Sequence, residues 1–299
     1  MTDNTFDELI DIIDRYSKSD GIHATAVNGL YCYKMSELNI RLPVIYRPSI
    51  YVVMQGNKQV LLGNDIFQYR QGEYLAVAVD LPLIGEVTKA SKQKPYLCVQ
   101  IDIDTQLMTE LAMKFDANTQ KQYEASKGIF VGNTDSKLMD AITRLMRLLD
   151  SPEDIPYLST ILLQEIYYRL LNSSHGGSII QTYLRDNNMQ RIAEVIAAMK
   201  RDMATPMCID TLAKSANMST SNFYSQFKKV TGFSPLQYLK RIRLTEARQI
   251  MYLDNKDASS TSYMVGYESP SQFNREYARL FGAPPQRDIK KLKQQVHVN

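Results

Sequence analysis

The chain has 299 residues, 44% of them hydrophobic and 22% charged, with a formal net charge of +3; at roughly 100–200 residues per domain this is length enough for two cores. It contains no run of 18 apolar residues, which excludes a membrane-spanning helix. The opening Met-Thr-Asp-Asn-Thr-Phe-Asp-Glu lacks the basic and apolar regions of a secretory leader, so a cytoplasmic protein without membrane contact is expected.

From the N-terminus, Phe6, Leu9, Ile10, Ile13 and Tyr16 recur at helical spacing within residues 3–20. Strands follow. Ile50–Met54 runs into the turn Gln55-Gly56-Asn57, Lys58–Leu62 ends at Gly63-Asn64-Asp65, and Ile66–Tyr69 ends at Gln71-Gly72. Glu73–Val79 and the alternating Tyr96–Ile103 complete a set of short strands that predicts a small β-barrel or sandwich. Ser136–Leu149 and Tyr157–Leu171 then read as amphipathic helices, closed by a flexible break at Asn172-Ser-Ser-His-Gly-Gly177. Strands first and helices after predict an α+β unit. The stripe Leu138, Ile142, Leu145, Leu149 is a candidate dimer contact, weighed against the commoner fate of such a stripe as core. From Asn188 the pattern is helical throughout: Gln190–Arg201, Asp210–Ala216, Thr220–Val230, Leu236–Met251, Ser259–Val265 and Ser271–Phe281.

Two seventeen-residue segments fifty positions apart resemble one another, Ser219–Pro235 and Ser269–Pro285. They share Ser219/Ser269, Ser221/Ser271, Phe223/Phe273, Gly232/Gly282 and Pro235/Pro285. Each serine can cap a helix, each glycine can stop it, and Phe223, Phe227, Val230 and Phe273, Tyr277, Leu280 fall on one face. A shorter helix and a tight turn precede each segment, the arrangement of a helix-turn-helix. In that motif the second helix enters the major groove. Its outward positions here are Ser221, Asn222, Tyr224, Ser225 and Lys228 in the first copy, and Ser271, Gln272, Asn274, Arg275 and Arg279 in the second. Arg, Asn and Gln make bidentate contacts to guanine or adenine edges. Charge agrees: residues 189–299 carry 17 Lys+Arg and 9 Asp+Glu, a balance of +8, while residues 1–188 stand at −5.

Further residues bring a resemblance to the AraC/XylS family of bacterial transcription regulators. They are Leu212-Ala213, Met218-Ser219, Phe223, Phe227-Lys228, Gly232, Ser234-Pro235, Tyr238, Arg243-Leu244, Ala247-Arg248, Val265-Gly-Tyr-Glu-Ser269, Phe273, Arg275, Phe281-Gly282 and Pro285. Residues 1–180 resemble a sensor region of that family more loosely, through Arg47-Pro48-Ser49 and Gln55-Gly56. The resemblance implies a cupin-like β-barrel with flanking helices over 1–180, which senses an effector and often dimerises. It implies a seven-helix domain with two helix-turn-helix units joined by a long helix over 189–290, and it leaves 291–299 as a basic tail. Carried over by position, the base-reading residues are Ser221, Tyr224 and Ser225, then Ser271, Gln272, Asn274 and Arg275. The implied partners are double-stranded promoter or operator DNA, RNA polymerase as a candidate, an unidentified small-molecule effector, and a second copy as a candidate homodimer. Activator is kept as the working description, the sequence leaving open whether transcription goes up or down.

One departure from the family pattern is Ser259-Ser260-Thr261-Ser262-Tyr263, where small apolar residues are usual. Those hydroxyls must bond back to the helix or stay unsatisfied, which would loosen the second unit. The three histidines, His23, His175 and His297, form no His-x-His, and no phosphate loop, GxSxG or CxxC occurs. No metal, cofactor or catalytic residue is therefore expected, and the chain is read as no enzyme. Cys32, Cys98 and Cys208 suit neither a disulfide framework nor zinc and are expected as buried thiols. Cys32, Tyr33, Cys98 and Gln100 are candidates for effector contact. The competing reading is a small-molecule-binding or catalytic barrel with a helical protein-interaction module.

Overall fold

A computed structural model describes residues 3–38, 42–119, 127–184 and 188–296. Helix α1 (Asp3–Tyr16) precedes nine strands: β1 (Gly21–Ala24), β2 (Leu30–Met35), β3 (Leu42–Tyr46), β4 (Ser49–Gln55), β5 (Asn57–Leu62), β6 (Asp65–Arg70), β7 (Glu73–Val77), β8 (Leu81–Lys89) and β9 (Tyr96–Asp102). Helix α2 (Thr105–Thr119) and strand β10 (Ile129–Asn133) lead to α3 (Ser136–Arg147), α4 (Ile155–Leu171) and α5 (Gly176–Tyr183). Seven helices follow among the described residues: α6 (Asn188–Arg201), α7 (Ile209–Ser215), α8 (Thr220–Thr231), α9 (Pro235–Leu253), α10 (Ala258–Met264), α11 (Pro270–Phe281) and α12 (Pro285–Val296).

The strands form two antiparallel sheets, ordered β1-β2-β9-β4-β7-β10 and β3-β8-β5-β6. Alternation along β9 explains how one strand serves two cores. Leu97, Val99 and Ile101 face the helices α1 to α5, and Tyr96 and Cys98 face the second sheet. The first core joins Leu9, Ile13, Val52 and Val99 to Ile142, Leu145, Ile166 and Leu170. The second fills the flattened barrel with Tyr69, Leu83 and Tyr96, then continues without a break into Ile192, Phe223, Phe227 and Tyr238 of the helical region. A third, smaller core holds Leu244, Met251, Phe273 and Tyr277.

Several contacts fix the barrel to the helices. The Gly128 N–H donates to the Val230 carbonyl at 3.0 Å, and the Tyr238 hydroxyl donates to the Asp80 carbonyl at 2.9 Å. Lys200 pairs with the Asp80 carboxylate. A Cβ on Gly232 would lie 3.0 Å from Leu62 Cγ, so the helix end sits close on the β5–β6 hairpin.

Some expectations need correction. The stripe Leu138, Ile142, Leu145, Leu149 is buried in the first core beside α1 and α4, so it is core and not an open dimer face. The break at 172–177 gives way to α5 at Gly176, because Ile179, Ile180 and Tyr183 have apolar surface to bury. His175, placed there in a linker, stacks on Phe130 with ring centroids 5.2 Å apart. Residues 291–296 belong to α12 and are helical to Val296, while 297–299, with His297, lie outside the described residues. Cys32 and Cys98 are buried as expected, but Cys208 is exposed ahead of α7.

Candidate nucleic-acid interface

Helices α8 and α11 occupy equivalent places in two repeated units, and the same local chemistry builds both. Ser219 and Ser269 each accept a hydrogen bond from the backbone N–H three residues on, capping α8 and α11. Gly232 and Gly282 end them in the left-handed conformation, at φ 73° and 78°. The preceding turns match as well. Met218 N–H reaches the Ala213 carbonyl and Tyr267 N–H the Ser262 carbonyl, with Asn217 and Gly266 at positive φ between. Only Gly or a residue such as Asn takes that conformation cheaply. Phe223 and Phe227, like Phe273 and Tyr277, are fully buried beneath their helices.

Between the units runs α9, its start fixed by the Ser234–Gln237 capping box and Pro235. Its 19 residues make a rod of about 28 Å. Both recognition helices flank one cleft along it, of about 820 Å³, lined by Lys228 and Lys229 of α8, Lys240 and Arg241 of α9, and Glu276 and Arg279 of α11. The barrel approaches the same cleft through Gly63, Asn64, Asp65 and Lys127.

All ten residues singled out from the sequence, Ser221, Asn222, Tyr224, Ser225, Lys228, Ser271, Gln272, Asn274, Arg275 and Arg279, are exposed. Arg275 has no hydrogen-bond or ion-pair partner among the described residues, so it is not consumed by Glu276 or Glu268. Glu276 is instead an organiser that the sequence did not mark. It accepts from Lys240 at 2.8 Å, from the Tyr267 hydroxyl at 2.9 Å and from Gln272 Nε2 at 3.2 Å. Partial burial works to raise its pKa, but these donors outweigh it and hold the carboxylate below the ordinary glutamate value. The one legible signal was its i+4 spacing from Gln272. Lys229, Lys240 and Arg241 also escaped the sequence reading, because a groove shared by three helices has no linear motif.

The hydroxyl-rich helix α10 is not loosened. Thr261 Oγ1 donates to the Asp257 carbonyl and Ser262 Oγ to the Ser259 carbonyl, each at 2.7 Å, and both residues are fully buried. The second unit is further held by Arg248, whose guanidinium makes two bonds to Asp288 at 2.8 and 2.9 Å; Tyr277 donates to the same carboxylate at 2.8 Å.

Of the candidates for effector contact, Tyr33, Cys98 and Gln100 lie on the barrel side of the six-stranded sheet, where the Tyr33 hydroxyl donates to Gln100 Oε1 at 2.7 Å. Cys32 faces the opposite core. Burial, and secondarily Cys98, pushes Cys32 up to about 12; burial pushes Cys98 up to about 11. Among the described residues no group of three or more His, Cys, Asp or Glu gathers to hold a metal, and no helix is long and apolar enough to cross a membrane.

A two-sheet barrel carrying paired, capped helix-turn-helix units on one long helix defines a class of DNA-binding regulators. Family models locate it further: residues 26–178 match the AraC-type transcriptional regulator N-terminus and residues 212–291 match a helix-turn-helix domain. The chain belongs to the AraC-type transcriptional regulators. It is 27% identical over 120 residues to the HTH-type transcriptional regulator GbdR of Pseudomonas aeruginosa, covering 40% of this chain and 33% of GbdR. It is 27% identical over 149 residues to the lactose operon transcription activator of Staphylococcus xylosus, covering 50% and 52%. The chain thus spans a third to a half of the relatives it matches. Its fold is similar to that of ToxT from Vibrio cholerae, with a TM-score of 0.61 at 12% identity over 87% of this chain and 97% of that one. ToxT has also been seen with an unsaturated fatty acid bound.

Proposed function

We propose that the protein is a cytoplasmic, sequence-specific DNA-binding transcription regulator, acting as an activator under control of a small molecule held in the barrel. Residues 1–180 form the sensing and dimerising unit, and 189–290 the DNA-binding unit. The observation that carries this reading is the pair of identically capped helices α8 and α11 on either side of α9, with all ten proposed contact residues exposed and Lys228 and Arg279 lining the cleft between them. In this reading Ser221, Asn222, Tyr224, Ser225, Ser271, Gln272, Asn274 and Arg275 meet base edges, while Lys228 and Arg279 meet phosphates. The relatives' names, regulators and activators, support the direction of control, and activation implies a contact with RNA polymerase. A homodimer would use the outer face of α4, where Tyr157, Leu158, Ile161 and Tyr168 are exposed.

The test is selection of duplexes from a random library by the full chain, followed by footprinting across a salt series. Enrichment of a two-part site spanning successive major grooves, with affinity falling steeply in salt, is expected. No enriched sequence, together with salt-insensitive or absent binding, would favour a small-molecule-binding barrel with a helical protein-interaction module. Sedimentation of the full chain at micromolar concentration tests the dimer, and Ile161→Glu should leave a monomer.

A further inference from the structure

The cleft between the two recognition helices has a third wall, and that wall belongs to the barrel. Gly63, Asn64 and Asp65 at the tip of the β5–β6 hairpin line it together with Lys127, alongside Lys228 and Lys229 of α8 and Arg279 of α11. The wall is fixed to α8. A Cβ on Gly63 would lie 3.3 Å from the Gly232 carbonyl oxygen, and the Gly128 N–H, next to Lys127, donates to the Val230 carbonyl at 3.0 Å. Leu62 and Val230 share the continuous second core. The hairpin therefore keeps its place beside the C-terminal end of α8 as long as that close-packed core is intact.

Charge in the cleft is one-sided. Six cations line it, Lys127, Lys228, Lys229, Lys240, Arg241 and Arg279, against two carboxylates, Asp65 and Glu276. Glu276 is taken by Lys240, and Asp65 by Lys127 at 2.8 Å. Among the described residues no carboxylate pairs with Lys228, Lys229, Arg241 or Arg279. Arg241 is half-buried with its guanidinium 4.4 Å from the Phe233 ring centroid, and burial lowers its pKa with no acid to offset it. A ring face offsets only part of the cost of desolvating a cation. Four cations left over on one concave surface call for an anion of repeated charge, and a duplex backbone supplies one phosphate after another. Helices set in successive major grooves leave the intervening minor groove, and the phosphates along its edges, facing the helix that joins them.

We propose that the barrel is part of the DNA-binding surface: the phosphates between the two major grooves seat on Lys229 and Arg241, and Lys127 and Asp65 stand over the same backbone from the barrel side. This rests on the reading of α8 and α11 as recognition helices and extends their surface beyond residues 189–290. Lys127 then adds attraction and Asp65 subtracts from it, without regard to base sequence. The barrel thus sets how tightly the helices hold any duplex.

The test measures binding of the full chain to its selected duplex and to a random one between about 50 and 200 mM salt. Lys127→Ala should weaken both duplexes equally, by about two- to fivefold at the lower salt, and reduce the salt slope by about one. Lys229→Ala should do the same. Asp65→Asn, which keeps the shape of the hairpin and reads the same wall, should tighten both duplexes by about two- to fivefold. The Lys127–Asp65 pair lies on the surface, with side chains 46% and 48% exposed, so neither change threatens the fold. Lys92→Ala, on the β8–β9 loop and outside the cleft lining, should leave affinity and slope as they are. Wild-type affinity and slope in both Lys127→Ala and Asp65→Asn overturns the proposal. Tighter binding by Lys127→Ala overturns it too, and makes the hairpin an obstruction. So does a loss confined to the selected duplex, since a phosphate contact does not read sequence. A wild-type chain that binds no duplex in a salt-dependent way removes the DNA-binding reading itself. Steep salt dependence in the wild type with silent barrel variants removes this proposal alone.

Discussion

The Tyr238 hydroxyl donates to the Asp80 carbonyl at 2.9 Å, across the seam where the first helix-turn-helix unit meets the barrel. Tyr238 sits on the first turn of α9 and is completely buried, and Asp80 lies between β7 and β8. The same Asp80 takes Lys200 of α6 on its side chain, so one residue of the barrel holds two helices of the DNA-binding unit.

Tyr238→Phe should cost about 0.5–1.5 kcal/mol by leaving that carbonyl without its donor. Urea unfolding of the full chain measures it. An unchanged midpoint would mean that water or a shifted neighbour replaces the hydroxyl.

The buried pair in the second unit should be far more sensitive. Arg248 and Asp288 have side-chain exposures of 9% and 8%. Arg248→Met would leave the Asp288 carboxylate buried with only the Tyr277 hydroxyl, a loss of about 3–5 kcal/mol. Replacing both partners by apolar residues should recover much of it. Comparable melting temperatures for the single and double variants would argue against a desolvated pair.

For DNA, Arg275→Ala should relax preference at one base pair by about 1–3 kcal/mol while the fold is retained. Lys228→Ala should weaken all sequences alike and lower the salt slope by about one. Equal losses on selected and random duplexes for Arg275→Ala would assign Arg275 to the backbone instead.

The buried thiols and phenols set the alkaline limit. Burial raises Cys32 to about 12 and Cys98 to about 11, and it holds Tyr51, Tyr69 and Tyr96 above the ordinary tyrosine value. The folded state therefore keeps protons that the unfolded chain releases from about pH 8.5 for thiols and about 10 for phenols. Stability is full below that range and is lost as pH rises through 11 to 12. Absorbance at 295 nm should step together with circular dichroism. Complete tyrosine ionisation with the fold intact would refute this. At pH 8 one thiol, Cys208, should react quickly with a disulfide reagent. It is exposed, and the backbone N–H groups of Thr211 and Asp210 at the start of α7 draw its pKa down.

How far the chain could be read from its residues followed from how local the determinants were. Caps, turns and a repeat place α8, α9 and α11 within a residue or two, because Ser219, Gly232, Pro235 and their counterparts act over one turn. Strand β8, with Pro82 and Gly85 inside it, carries no strand signature; it is held by pairing with β3 and β5, which no short window contains. Helix α5 begins with two glycines and reads as a linker until its apolar residues find the first core. The ten outward residues of the recognition helices were legible from period alone. The Glu276 network was not, since it gathers side chains from α9, from α11 and from the turn between α10 and α11.

The continuity of the second core has a consequence for how the molecule comes apart. Hydrophobic contacts tie the barrel to the helical region as far as Ile242, and the separate third core begins at Leu244. Proteins open in cooperative blocks that follow such clusters rather than sequence annotation. The weakest joint is then not the 172–177 segment but the middle of α9. Amide hydrogen exchange should show barrel and first unit exchanging as one slow block, while α10 to α12 exchange as a second, faster one. A single unbroken helix would carry two different lifetimes along its length.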